Sequence, residues 1–133
     1  MLNTVLEVCE KAEHDIEFYQ AGGKPVLGCK SCWYCEEHLD HCVQDDWINE
    51  LSPRMESADA IVLGSPTYYT DLIPELKSVI DRCGFMAMFA GKKFSRKIGA
   101  GVAAVRRAGS IHVLDSINHF FLISDMVVPG STY

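Results

Sequence analysis

The chain has 133 residues, 48% of them apolar, and its 12 basic and 18 acidic side chains give a formal charge of −6. That is enough apolar material for one domain to bury roughly two-thirds of its unfolded surface, which argues against disorder. The longest apolar runs, 60–63 and 85–90, fall far short of the roughly 20 residues of a membrane span, and the N-terminus lacks the apolar core of a signal peptide. Lys92-Lys93 and Arg106-Arg107 are isolated pairs, too small to hold a nucleic acid or an anionic membrane, so a cytoplasmic protein with other partners is expected.

Leu2, Val5, Leu6 and Cys9 recur at helical spacing behind Asn3 and Thr4, which are available as caps, and predict a short opening helix. Ile16 to Tyr19 reads as a brief strand, and Gly22-Gly23-Lys24-Pro25 as a turn. After an aperiodic stretch, Asp45 or Asp46 caps a helix through Trp47, Ile48 and Leu51, which Ser52-Pro53 either restarts or kinks. Ala60-Ile61-Val62-Leu63-Gly64 is a continuous apolar run, the pattern of a parallel strand covered on both faces. A helical face of Leu72, Leu76, Val79 or Ile80 and Cys83 follows, with Asp71 near its start and Pro74 in its first turn. Lys97 to Val105 predicts a second strand, Ser110 caps a helix through Ile111, Leu114, Ile117 and Phe121, and Met126-Val127-Val128 opens a further strand. Strands alternating with helices of this length predict an open α/β sheet, whose ligands sit beyond the carboxyl ends of the strands.

Six cysteines are many for such a chain, and four of them occur as Cys29-x2-Cys32-x2-Cys35-x6-Cys42. Three thiolates at consecutive spacings of three wrap a compact loop around a cubic cluster, and a fourth completes its shell, so the spacing is ferredoxin-like. Tetrahedral zinc is the alternative, although its ligands usually come as two pairs separated by a dozen or more residues. Disulfides are disfavoured in a reducing compartment. Cys9 and Cys83 lie on apolar helical faces and read as core. His38 and His41 are substitute ligands or solvated loop residues, and His14, His112 and His119 read as solvated.

The loop Gly64-Ser65-Pro66-Thr67-Tyr68-Tyr69-Thr70 would offer backbone N–H groups, hydroxyls and rings to a flat ligand at the sheet's carboxyl edge, or be an ordinary strand-helix turn. Together with the cysteine pattern, Asp45-Asp46, Ala58-Asp59-Ala60 and the later Leu76-Lys77 and Ile80-Asp81-Arg82, this segment strongly resembles the iron-sulfur flavoproteins of the NADPH-dependent FMN reductase family. The resemblance covers nearly the whole chain. It implies a single flavodoxin-like domain, 1–133, with helices on both faces of a parallel sheet and a cysteine-rich loop at 28–44. It further implies FMN bound by Ser65, Pro66, Thr67, Tyr68 and Tyr69, and a 4Fe-4S cluster on Cys29, Cys32, Cys35 and Cys42. A second flavin loop spans Ala103 to Gly109, where Gly109 permits close approach and Arg106 or Arg107 would stabilise a reduced flavin or stand solvated.

Against the family pattern the usual first strand, most of the phosphate loop and the last helix are missing. Asn3 and Thr4 stand for the tail of the phosphate loop, and Gly130-Ser131-Thr132-Tyr133 falls where a final helix would follow. The strand at Ile16 would then lose its partner, the edge of the Ile61 strand would be open, and FMN affinity would suffer. A fragment of a longer protein and a gap filled by another chain are the two readings of this. The resemblance implies an oxidoreductase passing electrons between flavin and cluster, with ferredoxin or NAD(P)H as donor, a homodimer or homotetramer as assembly and no catalytic side chain. The alternatives are an NAD(P)H-dependent FMN or quinone reductase without a cluster and a non-enzymatic zinc-stabilised module or fragment.

Overall fold

The computed structural model describes residues 1–39 and 41–130; Asp40 of the cysteine loop and the chain end from Ser131 to Tyr133 lie outside the described residues. Helix α1 spans Leu2–Lys11, α2 Tyr34–Glu37 and α3 Ile48–Ser57. The sheet then begins with β1, Ala60–Tyr68, and β2, Asp71–Leu72, followed by α4, Pro74–Phe89, β3, Ile98–Ala104, and α5, Ser110–Ile123.

The three strands form one mixed sheet in the order β2-β1-β3. β1 and β3 run parallel, in a register that pairs Ala60 with Ile98 and continues to Pro66 with Ala104. On the other edge of β1, β2 returns antiparallel, with Thr67 opposite Leu72 and Tyr68 opposite Asp71. Side chains in register on parallel neighbours point to the same face, so Ile61 and Leu63 share a face with Gly99 and Gly101. The glycines admit α5 there: a Cβ on Gly99 would lie 2.6 Å from Phe121 Cγ, and one on Gly101 3.2 Å from Ile117 Cγ2. Val62 and Gly64 face the other way, where α1 lies over the sheet and a Cβ on Gly64 would meet Leu2 Cδ1 at 2.7 Å. Helices therefore lie on both faces of an open α/β sheet, as expected, α5 covering its face closely and α1 covering the other only in part.

The core lies on the first face. Val79, Cys83 and Met86 of α4 join Ile48 of α3 and Phe120 and Phe121 of α5 in one buried cluster. Cys83 is core, as its helical phase implies, and burial pushes its thiol up to about 12. Replacing Gly99 by alanine should force the fully buried Phe121 ring to move and cost about 1–3 kcal/mol, the usual cost of overpacking. Urea denaturation measures this, and an unchanged midpoint would show that the ring has room.

Several sequence expectations are corrected. The two faces of the Ile61 run are covered unequally: Ile61 and Leu63 are 6% and 7% exposed but Val62 is 37% exposed, because α1 buries none of its own residues and reaches β1 at Gly64. Cys9, on that same helix, is half-buried and not core. Ile16 to Tyr19 forms no strand and is exposed, since no neighbouring strand among the described residues offers it a ladder; an ion pair between Glu17 and Arg54 (3.0 Å) ties it down instead. Asp71 and Leu72 belong to β2, and α4 starts only at Pro74, whose fixed φ suits a first helical position. Ser110 is the first residue of α5 and not its cap, a position taken by Gly109 at φ +99°, and Ile111 is exposed while Val113 is buried. Pro53 neither breaks nor restarts α3, which runs on to Ser57. The strand expected from Met126 is reduced to one parallel bridge, Val127 to Ile98.

Candidate functional site

Two places on the fold gather the residues singled out by the sequence. The first is the cysteine loop, which α4 and the start of α3 hold in place. Ser31 and Trp33 have φ of 50° and 61°, left-handed values that curl the loop tightly enough to bring its sulfurs to one side. Cys29 Sγ already accepts the Ser31 N–H at 3.4 Å. Cys35 sits in the four-residue α2, and Cys42 is pinned by Asn49 of α3, whose Oδ1 accepts the Cys42 N–H at 2.8 Å while its Nδ2 donates to the Cys42 carbonyl at 3.1 Å. Trp33 closes the outer side, edge-on to Phe85 and Phe89 of α4 with ring centroids 6.2 and 5.8 Å away.

Cys29, Cys32, Cys35 and Cys42 line one small cavity of about 30 Å³, together with Arg82 and aromatic side chains. All six cysteines of the chain are free thiols. Burial pushes the Cys35 thiol above its ordinary value, and the neighbouring Cys42, Cys29 and Cys32 add to the rise. Among the described residues no three His, Cys, Asp or Glu side chains converge closely enough to hold a single metal ion. Neither expected substitute ligand lines the cavity: His38 stacks on Tyr34 at 3.8 Å, and His41 Nε2 meets Asn49 Nδ2 at 3.3 Å.

The floor of this cavity was not legible as a site from the sequence. Arg82 is 1% exposed. It pairs with Asp46 through two bonds, Nη1 to Oδ2 at 2.6 Å and Nη2 to Oδ1 at 2.8 Å, and donates to the Gln44 carbonyl at 2.9 Å and the Leu27 carbonyl at 3.3 Å. Burial disfavours its charge, but hydrogen bonding to Asp46 and the nearness of Cys42 outweigh that cost and leave its pKa above the ordinary value. Arg82 Nε and Gln44 Oε1, both belonging to cavity residues, are buried without a hydrogen-bond partner. One sequence signal could have exposed the arginine: it falls three residues after Val79 and four before Met86, on the apolar stripe of its helix.

The second place is an open cleft of about 280 Å³ at the carboxyl ends of β1 and β3, lined by Thr67, Tyr69, Thr70, Val105, Arg106, Arg107 and Ala108. Tyr69 and Thr70 form the two-residue turn between β1 and β2, with φ of 50° and 70°. Two left-handed positions mark a type I′ hairpin, and holding non-glycine residues there costs roughly 1–2 kcal/mol each. The turn holds the Tyr69 ring fully exposed. Gly109 lets the second loop approach the first, since a Cβ there would lie 2.7 Å from the Thr70 backbone and from Thr67 Cγ2. Thr67 Oγ1 is buried without a partner at this junction.

Apart from Arg106 and Arg107, the other sequence-predicted residues fall around the cleft and not in it. Ser65 is buried beneath it; its hydroxyl donates to the Pro66 carbonyl at 2.6 Å and accepts the Ile73 N–H at 3.1 Å, so it shapes the turn from inside. Pro66 is half-buried in β1, and Tyr68 is exposed outside the cleft lining. Asn3 and Thr4 lie exposed in the first turn of α1. Arg106 and Arg107 are exposed on the cleft wall.

A doubly covered open sheet with a ligand-sized cleft at its carboxyl edge is the flavodoxin-like class of α/β domain, here with a cysteine pocket built into one flank. A WrbA-like flavodoxin from Agrobacterium tumefaciens shares the fold, with a TM-score of 0.52 and 19% identity over 66% of this chain and 53% of the other. The chain belongs to the NADPH-dependent FMN reductase family, which it matches over residues 1–133. It is similar to an iron-sulfur flavoprotein of Methanocaldococcus jannaschii, 35% identical over 96% of this chain and 69% of the relative. Iron-sulfur flavoproteins of Methanosarcina thermophila and Archaeoglobus fulgidus are 28% and 26% identical over 98% and 100% of this chain. In each case the chain spans about two thirds of the relative's length, 68% and 69% for the last two. Among the described residues no helix is long and apolar enough to cross a membrane.

Proposed function

We propose that this chain is a flavin-dependent redox protein that passes electrons between FMN and a 4Fe-4S cluster, with residues 1–133 acting as one domain and the 28–44 loop as its cluster-binding part. The observation that carries the reading is the cysteine cavity: four free thiols on one surface, with a buried guanidinium beside them that still has an unused N–H. That donor set suits a group that takes one sulfur at each of several irons and accepts N–H bonds at its sulfurs. The cleft suits a flavin ring, with Thr67 Oγ1 as an uncommitted polar atom, Tyr69 as an exposed ring, and Arg106 and Arg107 as nearby positive charge. Asn3 and Thr4 are the candidates for contacting its phosphate.

FMN supplies one- and two-electron chemistry and the cluster single-electron transfer, so no acid, base or nucleophile is assigned to the chain. The work of the residues is to hold, orient and shield. Cys29, Cys32, Cys35 and Cys42 would bind the iron, Trp33 with Phe85 and Phe89 would keep water off it, and the Tyr69-Thr70 turn with Gly109 would set the width of the flavin cleft. An electron donor such as NAD(P)H or ferredoxin, and a homodimer or homotetramer that brings one subunit's cluster near a neighbour's flavin, complete the reading.

The test is anaerobic purification followed by a visible spectrum and assays for iron, sulfide, zinc and FMN. Iron and sulfide together with flavin are the expected result. Flavin without iron would replace the reading with a cluster-free FMN or quinone reductase, and a colourless zinc protein would replace it with a structural module.

A further inference from the structure

A guanidinium has five N–H donors, and in Arg82 four of them are used: two meet Asp46, one the Gln44 carbonyl and one the Leu27 carbonyl. The fifth, on Nε, is buried without a partner. A buried donor left unpaired costs about 1–3 kcal/mol, so a position that keeps one is expected to have an acceptor in its working state. Arg82 shares its small cavity with the sulfurs of all four loop cysteines.

We infer that Arg82 is the potential-setting residue of the cysteine site: its buried positive charge and its spare Nε–H stabilise the more negative, reduced form of whatever iron-sulfur group the four thiolates hold. This rests on the cluster reading given above. Each electron added to a thiolate-bound iron group adds one negative charge. A cation with no access to water acts on that charge at low effective dielectric, whereas the exposed Arg106 and Arg107 would be screened. Asp46 opposes the effect. Its carboxylate takes both Nη groups from the side away from Nε and offsets part of the arginine's charge, so the two residues should act on the potential in opposite directions. Arginine is also the right cation: its fork grips Asp46 and the two carbonyls at once while Nε stays free, which a lysine ammonium cannot reproduce.

The experiment is an anaerobic redox titration of the purified iron-loaded protein, followed by electron paramagnetic resonance, with iron and sulfide assayed in every sample. Arg82→Gln should lower the midpoint so that the reduced-to-oxidised ratio at the wild-type midpoint falls at least tenfold, about 59 mV for one electron. Asp46→Asn, which keeps an oxygen for the guanidinium and removes the counter-charge, should raise that ratio, and Arg82→Lys should recover part of the glutamine loss. A residue that only clamps the loop would lower iron content or the melting temperature and leave the midpoint of the remaining iron-loaded molecules unchanged. Loaded variants with unmoved midpoints would therefore overturn the inference and leave the cluster reading standing. If Arg82→Gln does not fold, the upward shift in Asp46→Asn decides the matter alone. A wild-type protein that holds no iron or sulfide after anaerobic reconstitution would overturn the cluster reading itself, and this inference with it.

Discussion

Replacing Asp46 by alanine is expected to remove about 3–5 kcal/mol of folding stability, the usual penalty for stranding one member of a buried ion pair. The Arg82 side chain is fully buried, so without the carboxylate its charge would have only the Gln44 and Leu27 carbonyls, at 2.9 and 3.3 Å. Asp46 also braces the start of α3, where Trp47 is the N-cap and carries no side-chain cap bond: its Oδ1 accepts the Ile48 N–H at 3.1 Å, a bond worth about 0.5–1.5 kcal/mol. Set against a total of about 5–15 kcal/mol for a domain of this kind, the combined loss would leave a marginal fold. Chemical denaturation measures it. Asp46→Asn should cost less, because one acceptor survives, and Asp46→Ala combined with Arg82→Met should recover stability relative to Asp46→Ala alone. The effect should also change little between low and high salt, unlike that of the exposed Arg54–Glu17 pair. Equal midpoints for wild type and Asp46→Ala would mean that the guanidinium escapes to water, and the description of the cavity floor would be wrong.

The elements that the sequence disclosed best are those in which local pattern and tertiary role agree. β1 and β3 are apolar or small-residue runs between polar ends, and α4 and α5 carry long helical periodicity, so each appears near its expected place. Misreadings arose where tertiary partners decide. Ile16 to Tyr19 has strand-forming residues, yet a strand exists only as one side of a ladder. Leu72 fits the helical stripe of α4 but is held in β2 by Thr67, two residues before Pro74 opens the helix. Gly109 displaced Ser110 as cap because the close approach of the two loops requires a residue without a Cβ at that point.

The gathering of the four thiols around one cavity was readable because their regular spacing is a one-dimensional property of the chain. Arg82 was not, because its role comes from two segments remote from it in sequence, Leu27 and the stretch from Gln44 to Asp46, meeting at one turn of α4. The same helix ties the two candidate sites together. It begins one residue after Ile73, whose N–H is held by Ser65 under the cleft, and reaches Arg82 after a rise of about 12 Å. A helix spanning both places fixes their separation within one chain.

The strongest functional consequence expected is that Cys35→Ala abolishes iron and sulfide binding while FMN content stays near that of the wild type. Cys35 is the cysteine to choose: it is half-buried, it is the one loop thiol fixed in a helix, and its proton affinity responds to each of the other three. Removing its sulfur would leave three of the four proposed ligands and an apolar gap against α4. The cleft lined by Thr67, Tyr69, Thr70 and Arg106 shares no residue with the cysteine cavity, so flavin retention should be unaffected to first order. Cys9→Ala is the matched control, a half-buried cysteine on α1 that lines neither place and should leave iron content unchanged. Loss of the bound group should also remove the stabilisation that binding confers on the folded state, about 4 kcal/mol for a ligand at a thousand times its dissociation constant, so the Cys35→Ala melt should resemble that of the metal-free wild type. Full iron in Cys35→Ala, or equal losses in Cys35→Ala and Cys9→Ala, would remove the loop from the iron site.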